Sequence, residues 1–331
     1  MKAAFIRRRG GATEIEVGEL PVPQPAKAEV LVAVTAVAVN AVDTYIRSGR
    51  YHTELRFPFV IGRDLVGTVA SVGSAVSGWS VGDRVWANTC GFDGRQGPTA
   101  EYACVEAKRL HRLPDRVDPV EAVATLHPAG TAFTGLVHHG GGIRPGDGVV
   151  VGGGAGNVGT CVVHMAASRG AKVIATARGQ DDENWCRRWG ASDVIDYSGP
   201  DLTDRLRALL PEGAAQYWET SGQHDLDRAM ALTRERGFVL VMAGPETRPE
   251  LPIGRLYMRD LRIVGFAITN ATERELDEIA IELERMLKSD HIPVRIASVH
   301  SLEQAAEAHR LVEGTAERKP AAGRVVIRVG D

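Results

Sequence analysis

The sequence has few cysteines and no long hydrophobic run. Its 331 residues include four cysteines, which lie far apart and form no CxxC pair. This spacing excludes a zinc ribbon, a thioredoxin-type redox motif and a dense disulfide framework. No segment approaches the roughly 18 uncharged apolar residues that a membrane-spanning helix requires. The first residues lack the apolar segment of a signal peptide, so we expect a cytoplasmic protein.

The sequence also lacks a strong excess of charge of either sign. Its 39 basic and 42 acidic residues give a formal net charge of −3. Binding to nucleic acid or to an anionic membrane needs a basic surface, which this balance disfavours. The hydrophobic fraction of 44% is sufficient for a sizeable core, and the length is typical of about two domains.

The first third of the chain is rich in β-branched residues and in turn residues. Residues 28–40, 66–72 and 76–85 are predicted strands, because apolar residues recur there between glycine and proline. The prolines at 21, 23 and 25 predict an extended connection ahead of the first of them. Many short strands with such boundaries predict a β domain.

The pattern changes after residue 114, and from residue 147 onward short apolar runs alternate with helical segments, among them 181–189 and 202–210. Gly170 and Gly190 lie where helix ends favour a left-handed residue. Six strands that alternate with helices predict a doubly wound parallel sheet. The predicted strands are 148–151, 172–177, 193–196, 216–219, 238–242 and 261–265.

The last part of the chain is predicted to return to the first domain. Thr272 and Ser301 each begin a capping-box pattern, which predicts helices near 273–289 and 302–312. The predicted strands 294–299 and 323–329 cannot extend a parallel sheet that is already complete. The fold class is therefore α/β, with a parallel-sheet domain inserted into a β domain. We expect the β domain at 1–124 and 267–331, and the inserted domain at 125–266.

A glycine-rich loop follows the first strand of the inserted domain. Residues 154, 156 and 159 form a GxGxxG pattern between a valine-rich strand and a helix-compatible segment, 160–169. This strand–turn–helix context is typical of a dinucleotide-binding loop, in which glycines allow close approach of the backbone and the helix N-terminus faces the pyrophosphate. The alternative, a flexible hairpin, would not explain the alternating elements that follow.

The end of the second strand indicates which dinucleotide binds. An NAD site places an acidic residue there, about 20 residues after the glycines, whereas this strand ends in Ala177 and Arg178. An arginine suits the 2′-phosphate of NADPH, so NADPH is favoured. Arg178 as a plain surface residue is the alternative. Asp181 and Asp182 lie close by and would favour NAD if the turn were shorter.

Two segments of the first domain have a distinctive order of residues: 40–51 reads NAVDTYIRSGRY, and Gly62–Gly67 reads GRDLVG. They resemble the segment NPVDTYIRSGxY and the GxDxxG turn of the zeta-crystallin-like NADPH:quinone oxidoreductases, a family of the medium-chain dehydrogenase/reductase superfamily. Residues 82–85 match GDRV, 100–102 match AEY, and 131–133 match the step into the nucleotide domain. The resemblance covers essentially the whole chain, with its motifs in the family order.

The resemblance implies a GroES-like β domain, an inserted Rossmann domain and a cleft between them. It also implies a homodimer, formed through the last Rossmann strand, 261–265. The acceptor-side candidates are Asn40, Tyr45 and Tyr51. The predicted cofactor-binding residues are Thr131, Gly153, Gly154, Gly156, Asn157, Val158, Gly159, Arg178, Gly244 and Arg324.

No metal site is predicted. Zinc-dependent members of the superfamily have a cysteine where this chain has Asn40, and four closely spaced cysteines where it has only Cys90. Zinc needs converging Cys, His or carboxylate ligands, and no thiolate set is available. His138 and His139 are expected to be ordinary surface histidines. Without zinc to polarise an alcohol, alcohol oxidation is disfavoured.

A metal-free NADPH site suits hydride transfer to an acceptor that spreads the resulting charge, which means a quinone or an α,β-unsaturated carbonyl compound. Each acceptor-side candidate has a structural alternative: Asn40 as a turn former, Tyr45 as a packing aromatic, and Tyr51 as a wall of the pocket only, with water as the proton source. Thr131 could be a helix N-cap. Trp218 is bulky for a position near the cofactor.

Two other functions remain open at this point. An enoyl-thioester reductase would use the same hydride step on an acyl chain. A cofactor-binding protein with a structural or RNA-binding role is the alternative from another class, and the net charge of −3 argues against RNA. We expect a small-molecule substrate and neither nucleic acid nor membrane as a partner.

Overall fold

The structure is a computed structural model, and it describes residues 1–289, 292–314 and 322–330. The chain divides by its internal contacts into two units. The first unit contains Met1–His127 and Ala280–Asp331, and the second contains Pro128–Ile279. The domain limits expected from the sequence, 1–124 with 267–331 around 125–266, stay a prediction.

The first unit begins with a series of short and long strands. The small sheet has the order β2-β1-β4, and the longest strand of the unit, β3, pairs with both β5 and β7. The strands are β1 (Lys2–Ile6), β2 (Glu16–Glu19), β3 (Glu29–Val39), β4 (Phe59–Val60), β5 (Asp64–Val72), β6 (Arg84–Ala87), β7 (Tyr102–Glu106) and β8 (His111–Arg112).

The strand expected at residues 76–85 is wrong over most of its length. Strand β6 begins only at Arg84. Gly78 and Gly82 take left-handed conformations, with φ of 81° and 94°, and these two residues turn the chain before the strand starts. The apolar residues Val76 and Trp79 pack against the core of the unit from this turn. Their apolar spacing therefore reflects packing from a loop.

The second unit contains one parallel sheet of six strands. Its order, β11-β10-β9-β12-β13-β14, is that of a doubly wound Rossmann sheet, and every pairing is parallel. Val150, Ile174, Tyr217 and Val239 form part of its core, because a sheet with both faces covered selects nearly continuous apolar strands. The strands are β9 (Gly148–Gly152), β10 (Lys172–Ala177), β11 (Asp193–Asp196), β12 (Ala214–Glu219), β13 (Thr233–Val241) and β14 (Arg262–Gly265).

The last strands return to the first unit, as the sequence predicts. Strand β15 (Ile296–Ser301) pairs with β16 (Arg324–Arg328), and β16 pairs with β3. The resulting sheet has the order β15-β16-β3-β5-β6-β8, with β7 added on β3. The predicted fold class, a GroES-like β domain with a Rossmann domain, is confirmed.

Several helices begin or end at the predicted signals, although the Ser301 pattern opens a 3₁₀ turn, Leu302–Gln304, and the α-helix itself begins only at Ala305. Gly170 and Gly190 follow two of them in left-handed conformations. The carboxylate of Glu275 accepts a hydrogen bond from the Thr272 backbone N–H at 2.7 Å, and the side chain of Gln304 accepts one from Ser301 at 3.0 Å. The helices are α1 (Ala41–Ser48), α2 (Pro119–Phe133), α3 (Asn157–Ser168), α4 (Gln180–Arg188), α5 (Leu202–Leu209), α6 (Leu226–Leu232), α7 (Ile253–Met258), α8 (Glu273–Leu287) and α9 (Ala305–Glu313).

None of the helices within the described residues is long and apolar enough to cross a membrane. One further helical segment, Thr134–His139, is a π-helix that continues from α2. Nothing in the sequence pattern predicted this π-helix.

Candidate functional site

The glycine loop joins β9 to α3 in the second unit. Gly153 has a φ of 74°, and its N–H donates to the Thr176 hydroxyl at 3.2 Å. The next N–H, of Gly154, donates to the Thr176 carbonyl at 2.9 Å. Helix α3 then begins with Gly156 as its N-cap residue. The first N–H groups of a helix have no partner within it and carry partial positive charge, so this loop presents anion-binding donors.

Two of the glycines are required by close backbone approach. A Cβ at Gly159 would lie 2.2 Å from the carbonyl oxygen of Gly153, and a Cβ at Gly154 would lie 2.7 Å from the Cβ of Ala175. Both distances are far shorter than any van der Waals contact. The glycines therefore set the tight turn and the packing of α3 on the sheet, which is the role that the GxGxxG pattern predicts.

The loops after β10, β12 and β13 lie at the same edge of the parallel sheet as the glycine loop. Arg178 follows β10 and is exposed. Thr220 follows β12, and its hydroxyl donates to the Gly152 carbonyl at 2.6 Å. Gly244 follows β13 with a φ of 55°. The carboxyl ends of parallel strands are where open α/β sheets bind ligands, so the fold brings the predicted residues Arg178 and Gly244 to one edge, together with Thr220, which was not predicted.

An acidic residue, Asp196, is a neighbour of Arg178. Hydrogen bonds from Ser198 lower the pKa of Asp196, and Arg178 lowers it slightly further. Ala177 and Asp196 are paired in the β10–β11 ladder, which explains why the guanidinium acts on this carboxylate. No ion pair joins the two side chains in the described structure, and Arg178 remains exposed at the end of β10.

Thr131 lies inside α2, so the alternative of a helix N-cap is wrong. Its hydroxyl oxygen is buried and has no hydrogen-bond partner among the described residues. Trp218 is fully buried, and its indole N–H donates to Gln216 at 2.9 Å. A Cβ at Gly135 would lie 2.2 Å from the Trp218 ring, so the indole packs against the π-helix.

The expectation of two surface histidines is wrong for His138. The π-helix buries most of its ring, which lies 2.9 Å from the carboxylate of Glu278. The ring of Phe133 packs edge-on against it, with centroids 5.3 Å apart. His139 stacks on Phe266. A π-helix places successive side chains differently from a strand, and the sequence pattern did not reveal it.

In the first unit, Asn40 is 1% exposed and links two charged residues. Its Nδ2 donates to Asp64 Oδ2 at 2.9 Å, and its Oδ1 accepts from Arg324 at 2.6 Å. Asn40 also caps α1, because its backbone N–H donates to the Asp43 carboxylate at 2.8 Å. Asn40 and Arg324 were expected to have separate roles, and the structure places them in one hydrogen-bonded group.

The carboxyl groups beside Asn40 are fully buried. Burial first, and then the nearby charge of Asp43, raise the pKa of Asp64 to about 7, against the opposing effects of the hydrogen bond to Asn40 and the charges of Arg324 and Arg63. Burial likewise raises the pKa of Asp43 to about 6. His127 is half-buried near the same arginines with its Nδ1 fully covered, and its pKa is lowered well below its ordinary value, first by the loss of solvent around the ring.

Tyr45 and Tyr51 are half-buried. Tyr45 lies on α1, and Tyr51 follows that helix at the start of an irregular segment. The ring of Tyr51 packs edge-on against Phe92, with centroids 5.7 Å apart. Their catalytic roles stay a prediction, as do the roles of the other predicted site residues.

The described residues contain no group of three or more His, Cys, Asp or Glu side chains that could hold a metal ion. Metal independence itself stays a prediction.

Two family models match the chain. The model "Alcohol dehydrogenase GroES-like domain" matches residues 26–115, and the model "Zinc-binding dehydrogenase" matches residues 157–284. The human quinone oxidoreductase is 28% identical over 311 residues, which cover 93% of each chain.

Two solved structures match this chain over essentially its whole length. An NAD-dependent alcohol dehydrogenase is 30% identical, with a TM-score of 0.87 and full coverage of both chains. A mycobacterial protein complexed with NADPH is 30% identical, with a TM-score of 0.84, and the match covers 99% of this chain and all of that one. The chain belongs to the quinone oxidoreductase family of the medium-chain dehydrogenase/reductase superfamily. The resemblance predicted from the sequence is confirmed.

In this quinone oxidoreductase family member, sequence reasoning missed the buried charged group around Asn40. Asp43, Arg63 and His127 belong to it and were not predicted as site residues. A signal was present in the sequence, since Arg63 and Asp64 are adjacent charges between the apolar residues Ile61 and Leu65. Charged residues are almost never fully buried unless they serve a purpose such as pairing or binding.

Proposed function

We propose that this chain is a zinc-independent, NADPH-dependent oxidoreductase that transfers a hydride to a quinone or an α,β-unsaturated carbonyl compound. The observation that carries the proposal is the glycine loop at the β9–α3 junction, with an exposed arginine at the end of β10. The mycobacterial relative is complexed with NADPH, and the human relative is named a quinone oxidoreductase.

The residues of the second unit fit the cofactor. The cradle that the glycines leave open would accept the pyrophosphate, with donors from the N-terminus of α3. Arg178 would hold the 2′-phosphate, and Gly244 and Thr220 border the same sheet edge. Thr131 offers an unsatisfied hydroxyl from α2. When bound, the nicotinamide supplies the hydride, and the protein supplies orientation and electrostatic stabilisation.

The residues proposed on the acceptor side would stabilise the negative charge that forms on the acceptor and supply a proton to it. Hydride addition leaves negative charge on the oxygen of the acceptor, and a phenol such as Tyr51 can donate a hydrogen bond to it and then a proton. Tyr45 is the second phenol of this segment. The side-chain amide of Asn40 is hydrogen-bonded to Asp64 and Arg324. Its proposed contribution is therefore to hold these two side chains in a fixed orientation.

A panel of acceptors tests the proposal. We expect the purified protein to oxidise NADPH in the presence of a 1,4-benzoquinone or an alkenone, followed by the loss of NADPH absorbance. A simple alcohol with NADP⁺ should give no turnover. An enoyl thioester included in the panel would identify the alternative reductase if it were the best substrate. The proposal is wrong if no conjugated acceptor stimulates oxidation of NADPH.

Replacement of Arg178 by alanine should change cofactor selectivity. The guanidinium would form charge-assisted hydrogen bonds to the 2′-phosphate, each worth roughly 1.5–3 kcal/mol, so the KM for NADPH should rise about tenfold to 100-fold. The KM for NADH should change little. Steady-state kinetics with both cofactors measures the effect. Equal use of NADH and NADPH by the parent protein would contradict the assignment.

Treatment with a strong chelator should leave activity unchanged. A quinone or alkenone needs no Lewis acid to receive a hydride when hydrogen-bond donors stabilise the product oxygen. The measurement is the turnover number before and after incubation with chelator and gel filtration. One zinc ion per chain by elemental analysis, lost together with activity, would contradict metal independence.

We further propose a cytoplasmic homodimer, formed along β14. This strand is at the end of the sheet order, and the neighbouring helix α7 exposes Tyr257 and Met258, at 67% and 69%. Exposed apolar groups next to a sheet edge are typical of an interface. Sedimentation should therefore give the mass of two chains, and the double substitution Tyr257→Glu and Met258→Glu should give one. A monomeric parent protein would overturn this proposal.

A further inference from the structure

The second unit has a cavity at the edge of its sheet opposite the glycine loop. Among its lining residues, Asp147 precedes β9, Ala215 lies near the start of β12, and Arg236 lies near the start of β13. These positions mark the amino ends of the strands, whereas the glycine loop follows the carboxyl end of β9. The cavity has a volume of about 180 Å³, below the roughly 300–1,000 Å³ typical of pockets for drug-sized ligands. It is therefore separate from the proposed cofactor site and has room for a small ligand.

The lining of this cavity carries an excess of positive charge. Three arginines, Arg144, Arg234 and Arg236, line it together with a single acid, Asp147. Asp147 is buried, and both of its carboxylate oxygens are engaged. Its Oδ1 accepts from Arg234 Nη1 at 2.8 Å, and its Oδ2 accepts from the backbone N–H of Arg144 at 2.9 Å. One carboxylate thus balances one of the three guanidinium groups and holds that group in place.

The other two guanidinium groups have little compensation. The side chain of Arg144 is exposed and has no hydrogen bond or ion pair with any described residue. Arg236 Nε lies 3.6 Å from Asp260, which is not a lining residue, and the two side chains are 79% and 68% exposed. An exposed ion pair of this kind contributes little. Both guanidinium groups are therefore available to an anion from solution.

The backbone of β13 is bulged where it carries the arginines. Residues 214–216 of β12 lie opposite residues 233–238 of β13, so extra residues of β13 leave the ladder. Arg236 has a φ of 59°, which is unfavourable for a residue with a Cβ. Its N–H donates to the Arg259 carbonyl at 3.0 Å, and its own carbonyl accepts from Arg262 Nη1 at 3.0 Å. Bulges re-aim side chains and are common beside binding sites, and hydrogen bonds fix this one on both sides of Arg236.

A glycine segment leaves the cavity open to solvent. Gly141 and Gly142 also line it, with φ of 78° and 80°. A Cβ at Gly142 would have no atom within 4 Å, and Gly141 is exposed. A Cβ at Gly141 would lie 2.8 Å from the ring of Phe238, so the chain packs closely on this ring only because it has no side chain there. A small ligand can therefore reach the arginines without rearrangement of the backbone.

We propose that this cavity binds a small phosphate-bearing dianion. Each guanidinium presents parallel N–H donors that match two phosphate oxygens. A phosphate monoester carries a charge of about −1.5 to −2 at pH 7, which balances the two uncompensated arginines, whereas a monocarboxylate would balance only one. None of the lining residues belongs to the group that would hold the cofactor, so this inference does not rest on the proposed reductase function.

Calorimetric titration of the parent protein without cofactor is the first test. Diphosphate and glycerol 3-phosphate are the probes for an inorganic and an organic source of the phosphate group, at an ionic strength held constant with sodium chloride. At least one of them should bind saturably with a Kd below about 1 mM. Succinate, a dicarboxylate dianion, should bind more weakly than that probe. The absence of saturable binding, or binding of succinate with equal affinity, would overturn the inference.

Substitution of the two uncompensated arginines locates the site. Arg144→Gln and Arg236→Gln should each raise the Kd of the bound probe by roughly tenfold, because each removes a charge-assisted hydrogen bond. Arg234 is left unchanged, since its loss would deprive the buried Asp147 of its partner. Arg207→Gln is the control, because Arg207 lies in the same unit, is 55% exposed and pairs with Asp204 at 2.9 Å. This variant should bind the probe as the parent does.

The outcomes distinguish this cavity from the glycine loop and from the proposed function. A phosphate held at the glycine loop would be unaffected by these substitutions, since the loop lies at the opposite edge of the sheet. An unchanged Kd in the double variant Arg144→Gln and Arg236→Gln would therefore overturn the inference, as would an equal loss of affinity in Arg207→Gln. A parent protein that oxidises NADPH with no acceptor contradicts the proposed function, while the titration still reports on the cavity.

Discussion

Gly159→Ala should largely abolish cofactor binding. The added Cβ would lie 2.2 Å from the Gly153 carbonyl oxygen, so the start of α3 and the glycine loop must move apart. Such overpacking costs typically about 1–3 kcal/mol, and displacement of the donors facing the pyrophosphate adds to it, so the Kd for NADPH should rise by about 100-fold. Titration of NADPH fluorescence measures the effect.

Gly254→Ala is the matched control for this substitution. Gly254 lies on α7 in the same unit, and its Cβ would have nothing closer than the Met258 methyl group at 4.0 Å. This variant should bind NADPH as the parent does. A Gly159→Ala protein that is folded by circular dichroism and binds NADPH with parent affinity would show that the loop does not hold the cofactor.

Tyr51→Phe should lower kcat for an alkenone by about 100-fold or more. The substitution keeps the ring that packs against Phe92 and removes only the hydroxyl. A general acid typically contributes about 10²–10⁴-fold, and the proton reaches the enolate after hydride transfer. Binding of NADPH should be unchanged, because no cofactor role is assigned to Tyr51. Single-turnover and steady-state rates separate the two steps.

The comparison with a quinone sharpens this prediction. The hydroquinone anion is a weaker base than an enolate, so quinone reduction should be less sensitive to loss of the phenol. Tyr197→Phe, at a half-exposed position in the second unit, controls for the loss of an unrelated hydroxyl. A kcat for the alkenone within about twofold of the parent would assign Tyr51 to packing alone.

Local signals were sufficient to predict the parallel sheet. Each strand of the second unit is a short apolar run between turn residues, and Gly170 and Gly190 mark helix ends where only a residue without a Cβ is comfortable. The glycine loop was predictable for the same reason, since its constraint is the short distance between Gly159 and Gly153. Such constraints act between residues that are close in the sequence, so they can be recognised from the sequence alone.

Side-chain contacts between distant residues were not predictable, although the return of the last strands to the first unit was. The π-helix at Thr134–His139 is held by Gln216, whose amide donates to the carbonyl groups of Gly140 and Gly142. The group around Asn40 joins residues separated by 284 positions, as in its hydrogen bond with Arg324. Periodicity and spacing carry no information about such pairings.

The turn around Gly78 shows a third reason for a wrong prediction, that of the strand at residues 76–85. Val76 and Trp79 pack against the core from a loop, so their apolar character imitated a strand. The position of a glycine with positive φ, here Gly82, decides where the following strand β6 can begin. The apolar composition of residues 76–85 favours a strand, but the left-handed conformations of Gly78 and Gly82 turn the chain there instead.

Transfer of isotope from the cofactor tests the central proposal most directly. With NADPH in which both hydrogens at C4 of the nicotinamide are deuterium, reduction of but-3-en-2-one should give butanone with one deuterium on the former β-carbon, where it does not exchange with water. Mass spectrometry of the product measures this label. Oxidation of NADPH that yields unlabelled butanone, or no butanone, would contradict hydride transfer to a conjugated acceptor.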